Sequence, residues 1–239
     1  MHAETVSFLR AQLPLSAVAG HAFCTDATTQ IAVRGGEGGV RGTIIWGAKS
    51  NVFSAWSPWL LASDLDEAVA LVRSGPCSLP DVQFDMSLAP TFGSVPIARE
   101  LLLTRHPRAA SMRDSNVRRL SELDLDRIAL PPDVSRQIGD VRDFAHEAPF
   151  WCLVDDNTVL AIADTIASFA DHVVIQQVYT AAHARRAGLA HRLVGDVVSR
   201  YGASTLVWIT AEENVASRRL AERHEFQFAT NLGVASQIK

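Results

Sequence analysis

The stretch from His172 to Tyr201 constrains this chain most, because its hydrophobic period changes once, from two residues to between three and four. His172 to Tyr179 is rich in Val, Ile and Tyr and reads as a β-strand. Leu189, Leu193, Val197 and Tyr201 then fall four apart, with Ala190, Val194 and Val198 beside them. That spacing predicts one apolar stripe on a helix from Gly188 to about Tyr201, closed by Gly202. Strand and helix in direct succession call for a mixed α/β layer structure in which the helix covers the sheet.

The flanking sequence extends this pattern in both directions. Downstream, Leu206 to Thr210 reads as a strand, Asn214 to Arg223 as a helix, and Phe226 onward as a final strand or hairpin. Upstream, FWCLV and TVLAIADTIA read as paired strands about the turn Asp155-Asp156-Asn157. Val117 to Leu120 is a short strand, Ser121 with Asp124 has the spacing of a helix N-cap, and Gln137 to His146 can continue as helix.

The first half is less regular. Residues 5 to 13 form a short helix ended by Pro14, and Asp64 to Arg73 a second one, preceded by Ser63 and stopped by Gly75-Pro76. Gln30 to Arg34 and Val40 to Trp46 are strands joined through Gly35-Gly36-Glu37-Gly38-Gly39. Those glycines suit a turn, and no phosphate-loop pattern is completed around them. Pro80, Pro90, Pro96 and Pro107 interrupt the next stretch, which leaves only a helix near Ile97 to Leu103 and then a linker at Arg105 to Ser115. The expected organisation is an α+β region over residues 1–114, packed against a second unit over 115–239. No internal repeat is visible in the sequence.

Twenty-two Lys and Arg against 26 Asp and Glu, a net charge of −4, give no overall attraction to nucleic-acid phosphates. A local arginine cluster can still hold a small anion. No run is long enough to cross a bilayer, the first residues read poorly as a signal peptide, and Cys24, Cys77 and Cys152 have no metal-site spacing. A cytoplasmic protein, with no nucleic-acid or membrane partner and no metal, is the expectation. Oligomeric state stays open, a homodimer being one option.

The informative unit is VVIQQVYT, AAHARRA, GLAHRLVGDVV. The first N–H groups of a helix have no intrahelical partner and sit at the positive end of its dipole, so a strand–loop–helix junction can bind a pyrophosphate. Gly188 and Ala190 are small where phosphates must come close, and Arg185 and Arg186 add charge just upstream. An ordinary helix start with solvated arginines would look similar.

Two further matches separate these readings. Val178-Tyr179-Thr180 followed by Arg185-x-x-Gly188-x-Ala190 resembles the [QR]-x-x-G-x-[GA] signature of the GNAT acetyltransferases, and LVWITAEENVASRRLAERHEF is similar to that family's next strand and helix, with Asn214 and Ser217 on its N-x-x-[AS]. The resemblance covers Val117 to the C-terminus. It implies a GNAT core with a central splayed mixed sheet and acetyl-CoA as co-substrate. The main chain of Val178, Tyr179 and Thr180 would pair with the pantetheine arm. Arg185, Arg186, Ala187, Gly188, Leu189 and Ala190 would hold the pyrophosphate, and Asn214 and Ser217 would meet the arm from the neighbouring element. The first half, lacking a second such motif, is either an accessory region or a degenerate GNAT-like half, with at most one coenzyme site in the chain.

Ala182, Ala221 and Glu225 stand where relatives usually have proline, a proton-donating tyrosine and glycine. The second departure leaves the proton donor unassigned. An amine must be neutral to attack a thioester, so a base is expected near the splay. His172 at the head of its strand, Glu212 with Glu213 after the next strand, and Tyr179 as a proton donor are the candidates, though each also reads as an ordinary surface or core residue. Trp56 and Trp59 could line an acceptor pocket or simply pack. The expected activity is acetyl transfer to a primary amine of a small molecule, by direct attack in a ternary complex. A protein or peptide acceptor and a non-catalytic acyl-CoA-binding module are the alternatives.

Overall fold

The computed structural model describes residues 2–17, 19, 30–36, 39–46, 59–74, 81–109, 113–120, 127–138 and 150–235. Cys24, Cys77, Trp56, the Glu37-Gly38 turn, Gly75-Pro76, the Ser121/Asp124 cap and the continuation of a helix over 139–146 lie outside them.

Eleven strands form one mixed sheet. They are β1 (Gln30–Gly36), β2 (Gly39–Trp46), β3 (Trp59–Ala62), β4 (Val82–Asp85), β5 (Ile97–Arg105), β6 (Val117–Arg119), β7 (Phe150–Asp155), β8 (Thr158–Phe169), β9 (His172–Thr180), β10 (Thr205–Ala211) and β11 (Gln227–Ala235). Their order is β1-β2-β3-β4-β11-β5-β10-β9-β8-β7-β6. Five α-helices lie among the described residues: α1 (His2–Ala11), α2 (Leu65–Ser74), α3 (Pro132–Ile138), α4 (Leu189–Arg200) and α5 (Val215–Arg223).

Strand exchange joins the two halves of the chain. β5, from the first half, lies between β10 and β11 of the second, and β11 lies between β5 and β4. Each half also carries one parallel strand pair, β3–β4 and β9–β10, linked by the helices α2 and α4. The first half thus repeats the strand–helix–strand order of the second, a relation of topology that sequence comparison within the chain does not reveal.

The strand β5 replaces the helix expected at Ile97 to Leu103. Leu102 packs with Val174, Val207 and α1 on one face of the sheet, and Leu103 packs with Trp208 and α4 on the other. A central strand buried on both faces reads as a continuous apolar run, and over so few residues such a run does not separate helix from strand.

The same alternation assigns the faces. On the α2/α4 side, Ala68 and Leu71 of α2 meet Leu60 and Phe84, while Leu193 and Val197 of α4 meet Ile175 and Trp208. On the opposite side α1 buries Leu9 against Ile45, Trp59 and Val207. The stripe predicted for α4 is buried at Leu189, Leu193, Val194, Val197 and Val198. At about 1.5–3 kcal/mol for each large apolar side chain, this stripe is what holds the helix on the sheet.

Candidate functional site: a cleft where β9 leaves β10

β9 and β10 are parallel partners only from His172–Thr205 to Ile175–Trp208. Beyond that point β10 continues to pair with β5 through Ala211, and β9 continues with β8 through Thr180, so the two strands separate. The break coincides with Gln177, whose φ of 47° puts it in the left-handed region, and with a register shift between β8 and β9. A bulge of this kind bends one strand away from its neighbour and frees main-chain groups on its open edge. Val178 to Thr180 form that edge.

A cleft of about 620 Å³ opens at the separation. Val178, Tyr179, Thr180, Arg185, Arg186 and Gly188 line one wall, with Leu189 and Ala190 on the first turn of α4. Trp208, Asn214 and Ser217 line the other wall. The structure therefore brings together all the residues expected to touch the coenzyme except Ala187, which is exposed in the loop and is not part of the lining.

The chemistry of the walls is one-sided. Arg185, Arg186, Arg219 and Arg223 line the cleft, and no Asp or Glu is among the described residues that do. Gly188 is the N-cap of α4 with φ 75°, no side chain caps the helix, and no acidic residue lies in its first turn. A Cβ added at Gly188 would meet nothing within 4 Å, so the space in front of the helix N-terminus is open. Unpaired helix N–H groups, a positive dipole end and focused arginine charge together suit a diphosphate. The corresponding junction in the first half is built in the opposite sense. There Asp64 accepts from the Glu67 N–H at 2.9 Å, and Asp66 and Glu67 fill the first turn of α2. Negative charge repels an anion at that helix start.

The network beneath the open strand edge was not foreseen from the sequence. Asp133 on α3 accepts from the Tyr179 hydroxyl at 3.0 Å and from the Ala182 N–H at 2.8 Å, and these bonds, the Ala182 N–H foremost, lower its pKa. Arg185 donates from Nη2 to the Tyr179 hydroxyl at 2.8 Å and from Nε to the Thr180 carbonyl at 3.1 Å, with its guanidinium over the Tyr179 ring. On the far wall, Asn214 caps α5 by accepting from the Ser217 N–H, and the Ser217 hydroxyl accepts from the Trp208 indole. His191, Arg219 and Arg223 are further lining residues that no motif marked. Their helical spacing placed them on α4 and α5, but not on the facing sides of those helices.

The catalytic candidates fare differently. His172 sits at the paired end of β9, away from the separation, with Nδ1 2.8 Å from Asp171, and the structure does not bring it to the cleft. The head of the strand was the wrong end, because β9 runs toward the opening. Glu212 and Glu213 lie exposed in the turn after β10, where the Glu212 carbonyl accepts from Arg218, and neither lines the cleft. Tyr179 does line it, with its hydroxyl held by Asp133 and Arg185. Ala221 is fully buried, so that position offers no proton donor. Glu225 occupies the left-handed residue after α5 with φ 65°, where its carboxylate pairs with Arg108.

Comparison with known proteins bears on the half of the chain that holds this cleft. A model of the acetyltransferase (GNAT) family matches residues 116–226. The chain carries a GNAT acetyltransferase domain. Likeness in fold extends beyond the GNAT domain into the first half. A GCN5-related N-acetyltransferase from Kribbella flavida is 13% identical, with 97% of this chain and 95% of that one covered and a TM-score of 0.57. A putative GNAT acetyltransferase from Novosphingobium aromaticivorans is 16% identical over 82% and 88% of the two chains, with a TM-score of 0.58. A tandem GNAT protein from the clavulanic acid biosynthesis pathway is 11% identical over 98% and 94%, with a TM-score of 0.54. No curated protein sequence matches. The GNAT domain contains the whole cleft, and no helix among the described residues is long and apolar enough to cross a membrane.

Proposed function

We propose that the protein is an acetyl-CoA-dependent N-acetyltransferase acting on a primary amine of a small molecule. The observation that carries this reading is the coincidence, in one cleft, of a free strand edge, an open helix N-terminus and four arginines with no carboxylate among the described lining residues. The residues fit the coenzyme: Val178 to Thr180 would bind its amide-bearing arm, Arg185 to Ala190 its pyrophosphate, and Asn214 and Ser217 the far side of the arm. Acetyl-CoA supplies the activated acyl group. The chain's own residues orient that group at the strand separation and hold the acceptor on the other side of the sheet.

Transfer is direct, in a ternary complex. No cysteine is among the described residues that line the cleft, and the Cys152 thiol is buried in β7 with its pKa pushed up by desolvation, which keeps it an inert thiol. The first half acts as a second, degenerate GNAT-like unit: it repeats the strand–helix–strand order but has an acidic helix start where the diphosphate would sit. Its role in this reading is to enclose the acceptor side, which favours a small acceptor over a protein. Buried Ala221, in place of a proton donor, leaves a non-catalytic acyl-CoA-binding module as the competing reading.

A CoA-release assay over alkylamines, aminoglycoside-like compounds, amino acids and peptides tests both. Amine-dependent thiol release from one class establishes the enzyme. Tight acetyl-CoA binding with no release from any amine would leave the binding module.

A further inference from the structure

Asp164 on β8 is fully buried, and neither of its oxygens has a partner within ordinary hydrogen-bond geometry; the one polar group near enough to act on its charge is the Gln176 N–H. An unpaired carboxylate inside a protein is costly and is retained where it has work to do. Its position narrows that work. Asp164 is the register partner of Gln176 on β9, one residue beyond the last β9–β10 pair, so it lies beside the strand separation. Register partners share a face of the sheet, and Val174, two residues before Gln176, packs with α1 on the face opposite α4. Ala163 and Ala161, its neighbours in alternation, pack on the α4 side. Asp164 thus faces away from the arginine-lined wall, toward the side on which an acceptor must approach an acyl group threaded through the opening.

We propose that Asp164 receives the proton of the acceptor, and that the acceptor is accordingly an alkylamine that is an ammonium ion at neutral pH. The proposal rests on the N-acetyltransferase reading above. The ammonium N–H proton passes to the Asp164 carboxylate, the freed lone pair forms the new C–N bond as the C–S bond breaks, and the second N–H proton leaves with the thiolate sulfur. Asp164 then returns its proton to solvent. Gln176, half-buried on β9, is the register partner of Asp164 on the strand that borders the opening. The register partners of Asp164 are Phe150 on β7 and Gln176 on β9, neither of them charged. No charged group contributes to its titration; burial raises its pKa to about 7, against a smaller pull from the Gln176 N–H. A proton acceptor working near neutrality has that value.

The test compares an alkylamine with the O-alkylhydroxylamine of the same chain length, which is already neutral at pH 7. In Asp164→Asn, kcat/KM for the alkylamine should fall about 100-fold or more, the scale of a lost general base. The hydroxylamine should lose no more than about threefold on the same argument, and calorimetric acetyl-CoA affinity should be unchanged. Equal losses for both nucleophiles, or full alkylamine turnover by the variant, overturn the proposal and leave the acetyltransferase reading standing. Wild type that binds acetyl-CoA and acetylates neither overturns both. If Asp164→Asn does not fold, the wild-type pH profiles decide: alkylamine turnover must rise through pH 7 where hydroxylamine turnover is flat, and superimposable profiles overturn the assignment.

Discussion

Arg185 donates from Nη2 to the hydroxyl of Tyr179 at 2.8 Å while its Nε holds the carbonyl of Thr180, so the first arginine of the loop is folded back on the strand edge it follows. Asp133, from a separate helix, accepts a hydrogen bond from the Tyr179 hydroxyl on the other side. The three side chains form one hydrogen-bonded chain. Tyr179→Phe should therefore raise the Kd for acetyl-CoA about fivefold, close to the net worth of one hydrogen bond. Combined with Asp133→Ala it should cost little more than either change alone, because a shared network is not additive. Calorimetry on the two single variants and the double variant checks this, and strict additivity would show two independent sites.

Gly188 predicts two separable effects. Gly188→Ala meets no steric obstacle, but φ 75° is unfavourable for any residue with a Cβ, so stability should fall by about 1 kcal/mol in urea titration. Gly188→Glu should in addition abolish acetyl-CoA binding, because a carboxylate would stand at the open helix N-terminus. Retained affinity in the folded glutamate variant would falsify the diphosphate reading of the loop.

Asp164 should make stability depend on pH in a definite direction. Its folded pKa of about 7 lies above its ordinary 3.8, so the folded state holds a proton that the unfolded state has lost between those values. The proton stabilises the fold at low pH, and that advantage is lost as pH rises through about 7. Asp164→Asn cannot ionise. It should match wild type near pH 4 and exceed it above pH 7, by up to roughly 4 kcal/mol on this pKa difference. Melting curves at pH 4, 6 and 8 read the trend, and a constant offset across them would mean that Asp164 does not titrate in this range.

Glu225→Gly should stabilise the protein. The left-handed φ of 65° costs glutamate about 1 kcal/mol that glycine does not incur, whereas the exposed pair to Arg108 is worth little and the contact with the largely buried Arg105 is long, at 4.0 Å. Chemical denaturation should show a gain of about 1 kcal/mol on the same basis. A loss instead would show that the arginine contacts outweigh the backbone strain.

His172→Ala should leave kcat/KM of the folded variant within about twofold of wild type, since the ring pairs with Asp171 at the closed end of β9, away from the cleft. A loss of two orders of magnitude would return the histidine to the mechanism.

By itself the sequence determined whatever is written in short-range periodicity. The change of period between Tyr179 and Leu189, the small residues at Gly188 and Ala190 and the helix beginning at Asn214 all act within one or two turns of chain, so the strand–loop–helix junction was legible before any fold was known. Tertiary structure decided everything that depends on which strands become neighbours. Leu101 to Leu103 became a central strand only because β10 and β11 bury it from both sides, and His172 left the site because the parallel pairing closes the strand at that end. Asp133 and Asp164 lie 46 and 15 residues from Tyr179, and no local pattern marks either one. Side chains so far apart meet through long-range pairing, whose register is set by the burial of whole faces rather than by any residue's own preference.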